Sequence, residues 1–221
     1  MKIRILRFEG RIDILFYGTI LRRIFGYRRI ENDEFPGKIL NFSKTLGEIF
    51  PVCDVTAFSK GKNWFFLKAE NSKDSLEKIC CIIGKQHRFI RQKQRELSFE
   101  FLTIFLFDID AAENYKKCES CIKNSEVLKS LAVETPEKIV IEASKFLPLG
   151  KREKIDKCRQ IIISDSASLS KRLKQEFTLI KALIGWRCYY HFFETLLEYE
   201  ECREKVLSML SKDLLRIFEE E

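Results

Sequence analysis

At 221 residues and 26.2 kDa, the chain is long enough to bury a core of ordinary size and to carry an appendage. Hydrophobic residues at 45%, charged residues at 33% and only nine glycines and four prolines exclude a low-complexity disordered chain and a collagen-like one. The formal charge of +7 suits a polyanionic partner, and nineteen phenylalanines place large rings in the core.

The opening Met1–Phe8 alternates charge with aliphatics and lacks the continuous apolar stretch of a signal peptide. No apolar run reaches the roughly 18–20 residues that cross a bilayer. A cytoplasmic protein without membrane association is expected. Ile3 to Phe8 reads as a strand closed by the turn Glu9-Gly10. A helix follows, with Ile14, Tyr17, Leu21, Ile24 and Phe25 on one face, Asp13 in its first turn and Gly26 as its stop. Between Arg28 and Pro51 the pattern gives a polar turn, Pro36-Gly37 and a short helix from Phe42 to Ile49. Strands are expected at Val52–Phe58 and Trp64–Leu67, then a helix from Asp74 to Gly84.

The basic segment Lys85 to Arg95 precedes the clearest strand, Phe99 to Phe107. That strand is apolar on both faces, as an interior strand of a parallel sheet is. It stops at Asp108-Ile109-Asp110. A helix from Ala111 to about Leu131, a strand at Lys138–Glu142, a break at Pro148-Leu149-Gly150 and a last strand at Gln160–Ser164 are expected next. Beyond Ser168 the periodicity is helical, in one stripe from Leu169 to Leu196 and a second from Val206 to Ile217. This order predicts an α/β domain with a mostly parallel sheet over residues 1–147, then a helical C-terminal extension over 148–221 packed on it.

Cys118 and Cys121 form the only C-x-x-C among eight cysteines, with no second such pair to complete a zinc site. Reduced, structural thiols are expected throughout.

In a parallel sheet every strand delivers its C-terminal residue to one edge, where ligands bind. Glu9 follows the first strand, and Asp108 and Asp110 follow the most buried one. Carboxylates gathered there repel one another unless a cation lies among them, and an all-oxygen set suits Mg²⁺ or Mn²⁺. The plain alternatives are a turn residue at Glu9 and a helix cap at Asp110.

Glu9-Gly10-Arg11-Ile12-Asp13, between a strand and a helix, resembles the E-G-x-x-D form of Toprim (topoisomerase–primase) domains. Phe105-Leu106-Phe107-Asp108-Ile109-Asp110 resembles the D-x-D at the end of that domain's third strand. The resemblance implies a Rossmann-like domain acting on nucleic-acid phosphodiesters, as a nuclease or related phosphotransferase. It further implies Glu9 as general acid/base and Asp108 and Asp110, with Glu9, around Mg²⁺. The separation of 99 positions from Glu9 to Asp108 implies an insertion, at Arg28–Pro51 or the basic segment.

Asp13 is a further candidate for holding a metal-bound water, beside a helix N-terminal role. Lys60 and Lys62 are candidates for approaching a phosphate, beside a solvated-loop reading. Lys85, Arg88, Arg91, Lys93 and Arg95 surround Phe89 and suit a nucleic-acid backbone, beside the reading of a solvated face. His191, among aromatic residues, is expected to be packed, and Asp165 to cap a helix. Two other functions compete. One is a non-catalytic Toprim-like module that binds a partner protein, or a second copy, through its C-terminal helices. The other is a haloacid-dehalogenase-like phosphatase with Asp108 as nucleophile and Ile161-Ile162-Ile163-Ser164 as a loose serine motif.

Overall fold

The structure, a computed structural model, describes residues 1–51, 54–123, 125–162, 169–184 and 188–219. Six strands form one sheet in the order β2-β3-β4-β1-β5-β6. At its centre β1 (Lys2–Phe8) runs parallel to β4 (Asn63–Ala69) on one side and to β5 (Glu100–Asp108) on the other. Beyond β5, β6 (Leu128–Val133) continues the parallel run. Beyond β4, β3 (Thr56–Lys60) and β2 (Arg28–Ile30) pair antiparallel. The mostly parallel α/β architecture expected from the sequence is therefore present, with an antiparallel margin.

Both β1 and β5 are buried: β5 is apolar at nearly every position, whereas β1 also carries Arg4 and Arg7 inside the fold. On β5 every residue from Phe101 to Phe107 is buried, and on β1 every residue from Ile3 to Phe8. Helix α1 (Arg11–Arg23) packs on β3 and β4 at Gly18, where a Cβ would come within 2.8 Å of the Phe58 ring. The other face holds the main aromatic core. Phe42 of α2 (Gly37–Leu46) meets Phe50, Phe99 and Phe101, and Phe50 meets Phe66.

Helix α3 (Lys73–Lys85) starts after β4, and α4 (His87–Glu96) returns the chain to the start of β5. Helix α5 (Ala112–Ile122) lies against α3 so closely that a Cβ at Gly84 would stand 2.6 Å from the Cys121 carbonyl oxygen. Two disulfides, Cys80–Cys118 and Cys81–Cys121, join these helices, the first pair buried and Cys121 exposed. This corrects the expectation of reduced thiols. Adjacent cysteines on one helix and a C-x-x-C on its neighbour face each other, a relation that only the tertiary packing creates.

The chain divides into compact units at Met1–Val133 and Glu134–Phe218. The sequence pattern put the change at Pro148 because Lys138–Glu142 read as a strand. Those residues belong instead to helix α6 (Pro136–Ser144). Thr135 caps it by accepting the Lys138 N–H, and Pro136 occupies its first turn, so local capping overrides the β-branched run. The helix expected to reach Leu131 ends at Ile122, and Leu128–Val133 is β6. The strand expected at Gln160–Ser164 is likewise absent over its described part, because Gln160 to Ile162 end helix α7 (Leu149–Ile162).

The second unit is helical, as expected of the C-terminal region. It continues through α8 (Leu169–Ile184), α9 (Tyr189–Glu198), α10 (Glu200–Met209) and α11 (Lys212–Glu219). Phe177 of α8 packs with Tyr189, Phe192 and Phe193 of α9. Among the described residues no helix is long and apolar enough to cross a membrane.

Candidate functional site

The chain leaves β1 toward β4 and leaves β5 toward β6, so the connections diverge between these neighbouring strands. The C-terminal ends of such a pair bound the crevice in which open α/β sheets bind ligands. Glu9 follows β1 and Asp108 ends β5, so both flank this crevice.

The two are in contact. The Asp108 backbone N–H is hydrogen-bonded to the Glu9 carboxylate, and the other Glu9 oxygen, Oε1, is buried without a hydrogen-bond partner among the described residues. Burial raises the Glu9 pKa, and the charges of Asp110 and Asp74 push it the same way. The Asp108 N–H and Lys73 oppose the rise. Asp110 is thus within electrostatic reach of Glu9 and is itself exposed, in a single-turn 3₁₀ segment that leads into α5. Among the described residues, no three His, Cys, Asp or Glu side chains already stand at a spacing that would hold a metal ion.

Sequence reading missed the residues after β4. Ser72 caps α3 by accepting the Ser75 N–H, which sets Lys73 and Asp74 in the first turn of that helix. Asn114 of α5 donates to Asp74 Oδ1 at 3.1 Å and to Glu77 Oε2 at 2.7 Å, fixing α5 against α3. Beneath this rim Arg7 is fully buried, paired with Glu70 and donating to the Ile49 carbonyl at 2.6 Å. Burial draws the Arg7 pKa down and Glu70 supports its charge. The available signal was an arginine in the middle of an otherwise aliphatic strand, which needs a partner if that strand is buried.

Other candidates fall elsewhere. Asp13 accepts the Gly10 N–H at 2.9 Å and so serves the start of α1. Lys60 and Lys62 occupy the β3–β4 hairpin, where the Lys2 N–H donates to the Lys62 carbonyl at 2.9 Å. They therefore lie at the start of β1, opposite Glu9, which removes them as aids to that site. The basic segment also belongs to the opposite rim. Lys85 ends α3, and Arg88, Arg91, Lys93 and Arg95 lie on α4, which feeds the start of β5. Arg91 pairs with Glu126 at 2.9 Å, just before β6, and Lys93 with Glu96 at 2.6 Å. The helix hairpin needed to cross from β4 to β5 carries these cations away from the acids.

His191 is exposed on α9 with Nδ1 3.6 Å from Glu194 Oε2, not packed as expected. Asp165 lies outside the described residues. Ile161 and Ile162 end a helix, so the phosphatase-like reading loses the strand that its serine motif requires.

No family model matches the chain, and no curated protein matches it. Its fold is similar to the crystal structure of hypothetical protein PH0156 from Pyrococcus horikoshii OT3, with a TM-score of 0.66 and 15% identity over 99% of this chain and 98% of that one. At that identity the likeness concerns the fold alone: the whole two-unit chain has a counterpart among solved structures.

Proposed function

We propose that the crevice between β1 and β5 carries Mg²⁺- or Mn²⁺-dependent phosphoryl chemistry on nucleic-acid phosphodiesters, of the Toprim type. The observation that carries this reading is the half-buried Glu9, its carboxylate bonded to the Asp108 backbone and its pKa raised. A glutamate whose pKa is raised by burial and by neighbouring acids holds its proton more readily than a free carboxylate, which suits it to give or take one. The same residues support a hard cation: the donors are all carboxylate oxygens, and one Glu9 oxygen has no other partner. Asp108, Asp110 and Glu9 would hold it, and the ion when bound would neutralise phosphate and stabilise developing negative charge.

In this scheme Glu9 gives or takes the proton of the leaving or attacking oxygen. Lys73, whose charge acts on Glu9, orients an incoming phosphate. Asn114 positions α5 against α3 and so the segment that bears Asp110. Arg7, through Glu70, holds the ends of β1 and β4 in register. The net charge of +7 favours a polyanionic substrate but does not choose between DNA and RNA.

The test is cleavage of end-labelled single- and double-stranded DNA and RNA with Mg²⁺ or Mn²⁺, for wild type and Asp108→Asn/Asp110→Asn. Metal-dependent cleavage that the double variant loses supports the reading. Absence of cleavage, together with equal Mn²⁺ affinity in both proteins, overturns it in favour of a scaffold that acts by binding alone.

A further inference from the structure

We infer that the opposite, N-terminal rim of the sheet carries a second site, a cationic cavity that takes a phosphorylated ligand of nucleotide size. The cavity has a volume of about 570 Å³, and Lys2, Lys60, Gly61, Lys62, Ser98 and Glu100 line it. Small-molecule sites span roughly 300–1,000 Å³, so one nucleotide fits the space.

Its walls come from three chain segments tied together by backbone hydrogen bonds. The Lys2 N–H donates to the Lys62 carbonyl at 2.9 Å, and the Glu100 N–H donates to the Met1 carbonyl at 3.0 Å. Lys60 and Asn63 pair across the hairpin, and Gly61 turns it with φ of 60° in the left-handed region that favours glycine. Two lysines are thereby brought to one short turn on a fixed strand pair, rather than spread along a mobile loop.

The charge balance is one-sided. Among the described residues Glu100 is the single carboxylate of the lining, and it is ion-paired with Arg4 of β1. Its charge is already answered from within the sheet, so it does not cancel Lys60 and Lys62. The Lys60 ammonium stands 6.0 Å from the centre of the Tyr27 ring, a contact that leaves its charge intact. Ammonium groups around a concave, partly apolar space are the chemistry that binds terminal phosphates as point charges. No residue is shared with the Glu9 crevice, which lies at the other end of β1, so this site stands without the reading given above.

A second cavity of about 540 Å³ provides the control. It is lined by Lys116 and Glu119 of α5, by Lys123 just after that helix and by Lys129 of β6. Removing two of its lysines changes the net charge as much as removing Lys60 and Lys62.

The experiment is calorimetric titration of inorganic pyrophosphate and of ADP at about 50 mM salt, where screening is modest. The proteins are wild type, Lys60→Ala/Lys62→Ala, Lys116→Ala/Lys123→Ala and Glu9→Gln. Saturable binding is expected in wild type, weakened at least about tenfold in the Lys60/Lys62 variant and changed less than about twofold in the other two. Equal weakening in both lysine variants, no weakening in the first, or no binding at all overturns the proposal.

A 12-nucleotide single strand with or without a 5′ phosphate then separates a free nucleotide from a nucleic-acid end. Preference for the phosphorylated strand over ADP, or the reverse, upholds the site and names its source. A strand that binds more tightly than ADP whether or not it carries the 5′ phosphate overturns the site in favour of diffuse backbone attraction.

Discussion

The two ends of the sheet are built from the same strands and carry opposite electrostatics. At the C-terminal rim Glu9, Asp74, Asp108 and Asp110 gather in one neighbourhood, with one carboxylate oxygen buried and unpartnered. At the N-terminal rim Lys60, Lys62, Arg88 and Arg95 stand exposed. The formal charge of +7 hides this division. Strand direction explains why the acids are tolerated: α1 and α3 both begin at the C-terminal rim, and helix N-termini favour negative charge. The proposed acid–base chemistry draws on the first rim and the proposed second phosphate site on the other.

The sharpest way to break this contrast is Glu9→Gln. Loss of a general acid/base is expected to slow any phosphodiester turnover by roughly 10²–10⁴-fold while Asp108 and Asp110 still retain the metal with one carboxylate fewer. The same variant is expected to unfold at higher temperature than wild type in metal-free buffer at neutral pH. The sign follows from the raised pKa: the folded state prefers protonated Glu9, so wild type loses stability as pH rises through the folded pKa. The two melting temperatures are expected to converge below the ordinary glutamate range. A glutamine variant no more stable than wild type at pH 7 removes burial as the source of the shift.

Next in size is Arg7→Ala. It strands Glu70, which is 9% exposed, and is expected to cost about 3–5 kcal/mol in denaturant titration. Removing both disulfides, by Cys80→Ser/Cys81→Ser, is expected to cost roughly 2–4 kcal/mol. Either bridge alone should matter much less, because the two close nearly the same loop, with separations of 38 and 40 residues. Substantial and equal losses from each single removal would contradict that overlap.

How far these features were legible differs by the range of the interaction that creates them. β5 could be read because it is apolar on both faces and β1 because its aliphatics end at the turn Glu9-Gly10, and the acids that follow them could be placed on one edge by strand direction alone. The contact between Glu9 and Asp108 depends on β1 and β5 being neighbours, which no local pattern states. α6 was misread because Ile139, Val140 and Ile141 favour a strand, whereas the cap at Thr135 and Pro136 decides for a helix. The disulfides, Arg7–Glu70 and the position of Lys60 and Lys62 are properties of the assembled sheet. Residues 52 to 67 read as two strands with a basic turn, and nothing in that turn tells which rim it joins.

The smallest effect comes from the N-terminal rim and tests whether ion pairs there bear load. Arg91 and Glu126 pair at 2.9 Å, but their side chains are 45% and 67% exposed. Water and salt screen such a pair, and ordering two long side chains costs entropy, so Arg91→Ala is expected to shift stability by less than about 1 kcal/mol. That value should shrink further when the salt concentration is raised. Against the 3–5 kcal/mol or so expected for Arg7, this is the difference between an arginine that builds the sheet and one left on its surface for other use. A loss at Arg91 as large as that at Arg7, unchanged in high salt, would make the basic rim a structural element and end its contrast with the acidic one.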